Sequence, residues 1–444
     1  MKDHFGNPLS TASDEARLRF DEAGELVRLY RGDPVAALDA ALDADPDFAL
    51  AWATRAALFA TMTDARQLDE AERCLRAGEA VAGKASPRER AHLAAARDWK
   101  EGRFRDAIAR WGVVAQEHPR DLIALQFAHV GDFFLGQQSE LRDRPLQALR
   151  AWQTGEPGSH AVLGMAAFGL EECGDFARAE SLGRDGVTLE PRDGWAVHAV
   201  AHVCEMQGRV KEGADYLTET ADGWAPESGF AYHNWWHLAL FALDSEDHAR
   251  ALAVFDAKVR PGDSEVVMEL LDASALLWRL HLGGVDTGDR FAKIADAWTG
   301  SMDQRYYAFN DVHALMAMLG AGRDGEAARI LAGLEQRARD DDDNGLMARD
   351  VGLPLARALC AFEAGRYAEA AELLHKVRPR AQRFGGSHAQ RDLISLTLYE
   401  AALRAGRVAQ AEAIAAERLA QRPESPWARS LAGRVRNAAA ARAA

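Results

Sequence analysis

The sequence predicts an all-α protein, a right-handed superhelix (solenoid) of about eleven helix-turn-helix hairpins. Three observations lead to this class. Ala, Leu, Arg, Glu and Asp dominate the 444 residues and β-branched residues are sparse, a composition that favours helix. A glycine recurs with an alanine five residues later and a proline about a dozen residues after that. Successive glycines of this kind are 34 residues apart in two cases, which is the length of a two-helix repeat.

Each repeat follows the same physical logic. The glycine ends the first helix and turns the chain, the small alanine lets the second helix approach the first, and the proline opens the next connection. The stretch 260–299 departs from this spacing, although Leu270–Leu282 and Arg290–Trp298 still have helical periodicity. The clearest copies are Gly102, Ala107 and Pro119; Gly174, Ala179 and Pro191; and Gly406, Ala411 and Pro423.

The domain boundaries follow from composition. We expect a loose N-terminal arm at residues 1–12, a single continuous solenoid at 13–435 and an Ala-rich tail at 436–444 that frays. The run Asp340–Asn344 is typical of a solvated turn between hairpins.

Composition also limits the partners. The formal net charge is −15 without a basic run, so neither nucleic acid nor an anionic membrane surface is expected to bind. The sequence has no apolar signal region and no stretch of about 18 apolar residues, which predicts a cytoplasmic protein. The four cysteines form no C-x-x-C pair and are expected to be buried, reduced thiols.

The glycine, alanine and proline spacing resembles the tetratricopeptide repeat over most of the chain. Within it, residues 90–252 resemble the tetratricopeptide repeat protein 38 family and its bacterial relatives. Three stretches carry this resemblance: Phe168–Gly174, His198–Gly208 and His233–Leu240. The resemblance implies an all-helical repeat protein and no particular reaction.

The densest chemistry lies in two of these stretches. His198, His202 and Glu205 are four and three residues apart, so they share one stripe of a helix. The tetratricopeptide resemblance implies that positions about three, six and ten residues before the turn glycine face the concave groove. Counting back from Gly208 assigns these three side chains to that groove.

A second helix begins near Phe230 and belongs to the next repeat. It contributes His233, Asn234, Trp236 and His237, which we expect to lie near the first stripe and to line one pocket with it. The other ligand-binding candidates are on the first helices of other repeats: Asp132, Glu171, Glu172, His313 and His388.

Three functions fit this pocket. One is binding of a divalent metal (zinc, iron or manganese) by His198, His202, Glu205 and His233, although the H-E-x-x-H signature is absent. Another is metal-free acid–base catalysis on a small molecule by His202, Glu205 and His237.

The alternative is a non-catalytic scaffold whose groove binds a protein or peptide partner, the commonest use of such repeats. The sequence leaves homodimer formation through the end hairpins open, and it does not decide whether the protein is an enzyme.

Overall fold

The computed structural model describes residues 1–443, and within them helices are joined by short turns. Among these residues, β-structure is limited to isolated bridges between Lys2 and Pro8 and between Arg31 and Ser228. The helices are α1 (Asp14–Leu29), α2 (Pro34–Ala44), α3 (Ala49–Thr61), α4 (Leu68–Val81), α5 (Pro87–Lys100), α6 (Phe104–Glu117), α7 (Leu122–Phe134), α8 (Gln138–Ala148), α9 (Ser159–Glu172), α10 (Phe176–Leu189), α11 (Gly194–Met206), α12 (Val210–Glu219), α13 (Ala221–Trp224), α14 (Ala231–Asp244), α15 (His248–Val254), α16 (Val267–Leu282), α17 (Arg290–Trp298), α18 (Ala308–Gly320), α19 (Asp324–Arg337), α20 (Asp343–Met347), α21 (Leu353–Glu363), α22 (Tyr367–Val377), α23 (His388–Arg404), α24 (Val408–Gln421) and α25 (Pro426–Ala443).

These helices form the repeated hairpins that the sequence predicts, so the all-α helical repeat is confirmed. The departing stretch 260–299 also forms a hairpin, α16/α17, and α17 has the bounds that the sequence indicates. Over residues 1–443 the hairpins are α1/α2, α3/α4, α5/α6, α7/α8, α9/α10, α11/α12, α14/α15, α16/α17, α18/α19, α21/α22 and α23/α24.

The turns work as the glycine and alanine spacing predicts. Gly102 and Gly174 have φ of +80° and +79°, a left-handed conformation that favours glycine because it has no Cβ. The alanines five residues later, Ala107 and Ala179, are fully buried between the two helices of their hairpins. The local geometry of each hairpin is therefore encoded in a few positions.

The contacts of the chain divide into two compact units, and the single continuous solenoid at residues 13–435 stays a prediction. The first unit comprises Met1–Val200 and Thr220–Ala231, and the second comprises Ala201–Glu219 and Tyr232–Ala444. The first part of α11 thus belongs to the first unit and its last part to the second.

The N-terminal arm of the first unit is held in place, in contrast to the loose arm that the sequence predicts for residues 1–12. Arg88 donates a hydrogen bond to the carbonyl of Pro8 at 2.8 Å. The backbone N–H of Ser10 donates to Glu89 at 2.9 Å. The sequence does not reveal these contacts, because the two partners of each hydrogen bond lie about 80 residues apart.

In the second unit, the turn after α24 packs against the turn after α11. Arg422 lies against Gly208, where an added Cβ would approach the Arg422 Cβ to 3.1 Å, and its guanidinium donates to the sulfur of Met206 at 3.4 Å. Ser425 donates to the carboxylate of Asp244 on α14. The hairpins of this unit therefore close back on its beginning.

The C-terminal tail is helical where it is described. The Ala-rich tail predicted at residues 436–444 continues α25 as far as Ala443, and residue 444 lies outside the described residues. Alanine has the highest helix propensity, so a helix that begins at Pro426 extends through this run. No helix in residues 1–443 is both long and apolar enough to cross a bilayer.

Candidate metal site

Two helices position the candidate residues of the second unit. The last turns of α11 carry His202 and Glu205, and the first turns of α14 carry His233 and His237. The imidazoles of His202 and His237 lie 4.5 Å apart between ring centroids, and Glu205 hydrogen-bonds the same His237. Because residues three apart share a helix face, His202 and Glu205 both reach the histidines of α14, as the sequence predicts.

Three imidazoles form the centre of this site. The rings of His233 and His237 lie 5.0 Å apart and nearly perpendicular, next to the ring of His202. Each of the three offers one possible metal-ligating atom, and these atoms lie within 4.8 Å of one another. All three side chains are buried, with His202 and His237 fully enclosed.

A carboxylate orients each histidine of α14. The Nδ1 of His237 lies 2.9 Å from Oε2 of Glu205, and the Nδ1 of His233 lies 2.6 Å from Oδ2 of Asp272 on α16. An ionised carboxylate can only accept, so each Nδ1 carries the hydrogen of its bond. Glu205, which the sequence predicts as a ligand or catalytic group, is placed here as the partner of a histidine.

The protonation of the His237 and Glu205 pair suits a metal ligand. Burial, followed by the neighbouring His202, lowers the pKa of His237 to about 3, so its imidazole is neutral at pH 7. Burial raises the pKa of Glu205, but the hydrogen bond from His237 and the charge of Arg422 outweigh burial and bring it to about 2. The pair is therefore a neutral imidazole that donates to an ionised carboxylate.

An aromatic and cationic layer covers one side of His233. Its ring stacks on Trp236 at 5.3 Å, and the guanidinium of Arg279 lies over the same indole at 5.3 Å. Trp236 is fully buried, so it packs within the site and does not line an open groove as the sequence predicts. Arg279 donates to the carbonyls of Ala275 and Ala389, which holds its charge in a fixed place.

The last hairpin adds a second group of charges. Arg422 lies 4.0 Å from Glu205 and 3.8 Å from Asp392, and Arg418 donates to both oxygens of Asp392 at 2.7 Å. Burial raises the pKa of Asp392, but the charges of these two arginines reverse that effect and hold it well below its usual range. Arg422, which is not one of the three histidines, thus stabilises the negative charge of Glu205.

The fourth histidine of the sequence prediction, His198, falls in the first unit. It lies one turn before His202 on α11, and its buried ring contacts three aromatic rings of the first unit. Phe168 stacks on it at 5.1 Å, Trp195 lies at 5.0 Å, and Phe230 meets it edge-on at 5.3 Å. Its role as a metal ligand stays a prediction.

Three more candidates are buried carboxylates of the first unit. Glu171 and Glu172 are on α9, and Glu172 accepts from the amide of Gln138 at 3.1 Å. Asp132 on α7 pairs with Arg144 at 2.8 Å, and burial raises its pKa to about 7 in spite of that pairing. Their predicted part in ligand binding stays a prediction.

Three candidates of the second unit remain: His313, His388 and Asn234. His313 on α18 is buried and donates from Nδ1 to the carbonyl of Phe309 at 2.7 Å. Half-buried His388 begins α23, and Asn234 is fully buried on α14 between His233 and Trp236 in sequence. In residues 1–443, neither His313 nor His388 belongs to a group of side chains that could share a metal ion.

Asp272 is the residue that sequence reasoning missed. It is an acidic residue in the largely apolar helix α16, 2% exposed and 39 residues after its partner His233. A buried carboxylate in an apolar helix needs a partner, and that requirement was the one available signal.

The fold and the site together define a class: an all-α protein of helical hairpins with a buried cluster of imidazoles and carboxylates. No family model matches the chain. Among solved structures, the chain aligns with the crystal structure of the APC/C hetero-tetramer Cut9-Hcn1 at 11% identity and a TM-score of 0.35, over 96% of this chain and 97% of that one. It aligns with the P58(IPK) TPR domain at 12% identity and a TM-score of 0.23, over 80% and 98%. Likenesses of this strength carry no information on ligand, partner or activity.

Proposed function

We propose that this helical-repeat protein binds a divalent transition-metal ion through His202, His233 and His237. The observation that supports the proposal is the arrangement of three buried imidazoles whose ligating atoms lie within 4.8 Å of one another. Two of them are oriented by carboxylates, Glu205 and Asp272. Metal-ligating histidines commonly donate their second ring N–H to a carboxylate, which fixes the tautomer and strengthens the ligand.

The donor set favours zinc among the three metals that the sequence suggests. Imidazole nitrogens suit zinc and iron, whereas manganese prefers oxygen donors. Because Glu205 and Asp272 are engaged with Nδ1 of His237 and His233, the set offered to the ion is nitrogen-rich. Zinc also binds more tightly than Fe²⁺ or Mn²⁺ at most sites of this kind.

Binding requires a small contraction of the site. Zn–N bonds of about 2.0–2.1 Å in a tetrahedron place ligand nitrogens about 3.3 Å apart. The ligating atoms lie within 4.8 Å of one another, so they approach by at most about 1.5 Å. Rotation of imidazoles about their side-chain bonds supplies a movement of this size without moving the helices.

Three protein ligands leave a coordination position for water or substrate. This number is typical of catalytic zinc, whereas structural zinc sites have four protein ligands. Zinc lowers the pKa of a bound water to about 7, which would supply a nucleophile at neutral pH. If His198 is a fourth ligand, as the sequence predicts, the site is of the structural kind; if it is not, the site is of the catalytic kind.

The test is the metal content and affinity of purified, untagged protein. We expect about one equivalent of zinc after dialysis against a zinc buffer, and a loss of affinity of roughly tenfold or more in His237→Ala. His375→Ala changes an exposed histidine of α22 and is the matched control, expected to bind like the parent. A separate His198→Ala variant measures the fourth predicted ligand.

Two outcomes count against the proposal. A parent protein that takes up no zinc, iron or manganese would exclude the metal site. Equal metal binding by the parent and by His202→Ala and His237→Ala would place the metal elsewhere.

Metal-free acid–base catalysis is the second candidate, and the His237–Glu205 pair favours it. A histidine that donates Nδ1–H to a buried carboxylate has the geometry of a general base. If the parent protein binds no metal, turnover of a small-molecule substrate that His237→Ala abolishes would support this function.

A scaffold for a protein or peptide partner is the third candidate and rests on the helical-repeat fold. The buried positions of His202, His233 and Trp236 exclude them from contact with a peptide unless helices separate. A partner would therefore bind other surfaces. Recovery of one stoichiometric partner by a metal-free chain would favour this function over the metal site.

A further inference from the structure

The side chain of Arg28 on α1 is a buried charge without a protein counter-ion. It is 9% exposed, and its Nε is enclosed and meets no hydrogen-bond acceptor in residues 1–443. Within the same residues no carboxylate lies at ion-pairing distance from its guanidinium. The ring of Phe5 covers one face of the guanidinium, whose carbon lies 4.9 Å from the ring centroid. A buried guanidinium in this condition is energetically costly, so the edge that carries its donors calls for an acceptor.

Four carboxylates act on Arg28 through their charge: Glu25 most strongly, then Asp21, Asp3 and Asp193. Each has another partner. Glu25 lies 3.3 Å from Arg192, and Asp3 accepts the backbone N–H of Asn7 at 2.8 Å.

Asp193 accepts the backbone N–H groups of Trp195 and Ala196 at 3.0 Å each, and its second oxygen lies 2.8 Å from Nδ1 of His160. It caps the start of α11 in this way and forms no ion pair with Arg28.

Asp21, about two turns earlier on α1, is similarly engaged. It accepts from the guanidinium of Arg17 and from the backbone N–H of His4, both at 3.0 Å. These carboxylates therefore act on Arg28 only through their more distant charge. Burial lowers the pKa of Arg28 to about 10, which leaves the guanidinium charged at neutral pH.

Arg28 lines two small cavities of the first unit. One has a volume of about 20 Å³ and is lined by Phe5, Phe20 and Leu122 among others. The second has a volume of about 10 Å³ and is bounded by Tyr30 and Trp195 among others. A cavity of about 10–15 Å³ holds one water-sized group, so each of these spaces suits a group of about one heavy atom.

The wall of the second cavity presents further donors. The indole N–H of Trp195, a residue that is 8% exposed, meets no acceptor in residues 1–443. Burial raises the pKa of Tyr30, so its hydroxyl remains protonated and can donate. Burial also lowers the pKa of His129 to about 3, which keeps that imidazole neutral. The cavity thus combines the positive charge of Arg28 and donors from two aromatic side chains with one carboxylate, Asp193, whose two oxygens are engaged by α11 and His160.

We propose that the first unit binds a small monovalent anion of halide size between Arg28, Trp195 and Tyr30. The guanidinium supplies charged N–H donors for such an anion. The size of the cavities excludes a larger metabolite, and the positive charge with convergent donors excludes a cation. This site is independent of the three histidines, so it stands or falls separately from the proposed metal site.

The test uses bromide as the probe on the full chain. Calorimetric titration with bromide is expected to show binding that Arg28→Met weakens by roughly tenfold or more. Trp195→Phe removes the indole N–H and is expected to weaken binding by a smaller factor. Arg19→Met changes an exposed arginine of the same helix and is the matched control, expected to bind bromide like the parent.

Crystals of the parent soaked in bromide provide a readout that needs no variant. An anomalous peak within hydrogen-bond distance of the Arg28 guanidinium is expected. Water alone beside Arg28 in that map would overturn the proposal, and so would equal bromide binding by the parent and Arg28→Met. If Arg28→Met fails to fold, the bromide map decides.

Discussion

Replacing Glu205 by Gln tests whether a carboxylate tunes the proposed metal ligand. The substitution keeps the shape of the side chain and its ability to accept from Nδ1 of His237, but it removes the negative charge 2.9 Å from that nitrogen. Glu205 is 6% exposed, so solvent screens this charge only weakly. Loss of a carboxylate that orients a ligand typically weakens metal binding by about 10- to 100-fold, which is about 1.4–2.8 kcal/mol.

The assay is competition between the protein and a chromophoric chelator for zinc at pH 7.5. At this pH Glu205 is already ionised and His237 already neutral, since their pKa values are about 2 and 3. Metal binding is therefore expected to release no proton from this pair. Calorimetry in two buffers of different ionisation enthalpy measures that proton release.

Glu212→Gln, which changes a half-exposed glutamate of α12, is the matched control. Wild-type zinc affinity in Glu205→Gln would refute the orienting role of this carboxylate. The substitution also leaves Arg422 with one carboxylate neighbour fewer, so the circular dichroism of the variant must match that of the parent. If Glu205→Gln fails to fold, Asp272→Asn tests the same relation through His233.

Two further predictions concern the stability of the first unit. Burial raises the pKa of Asp132 from 3.8 to about 7. A carboxyl whose pKa is higher in the folded state favours the folded protein below the unfolded pKa. This contribution to the free energy of unfolding is lost as the pH rises to the folded pKa. The free energy of unfolding of Asp132→Asn relative to the parent should therefore increase from about pH 4 to about pH 7, by at most about 4 kcal/mol. Urea unfolding at both pH values measures this difference. A difference that does not change with pH would contradict the sign. Gly169→Ala is expected to destabilise by about 3 kcal/mol because the added Cβ would lie 2.5 Å from the backbone Cα of Arg142 on α8. Gly433→Ala, with no neighbour closer than 3.7 Å, should instead stabilise by up to about 1 kcal/mol, and similar thermal shifts for the two variants would contradict the close approach of α8 and α9.

The helical periodicity of the sequence predicts which side chains share a face, but it does not predict whether that face is buried. Helical periodicity correctly places His202 and Glu205 on one face, but it does not say what that face meets. The tetratricopeptide resemblance implies an open groove, whereas the structure buries both side chains and Trp236 as well. Burial depends on the helices that pack over a face, and those helices lie far away in sequence.

The sequence by itself determined the hairpins and the histidine stripe. A turn glycine, a small alanine five residues on and an i, i+4 spacing act within one or two helical turns, so backbone geometry alone makes them readable. Only the tertiary structure decided which groups complete the site. Asp272 reaches His233 across 39 residues, and Arg422 reaches the end of α11 at Met206 across 216. Such pairs form because packing removes both partners from water, and a buried charge must then find its counterpart wherever the fold places it.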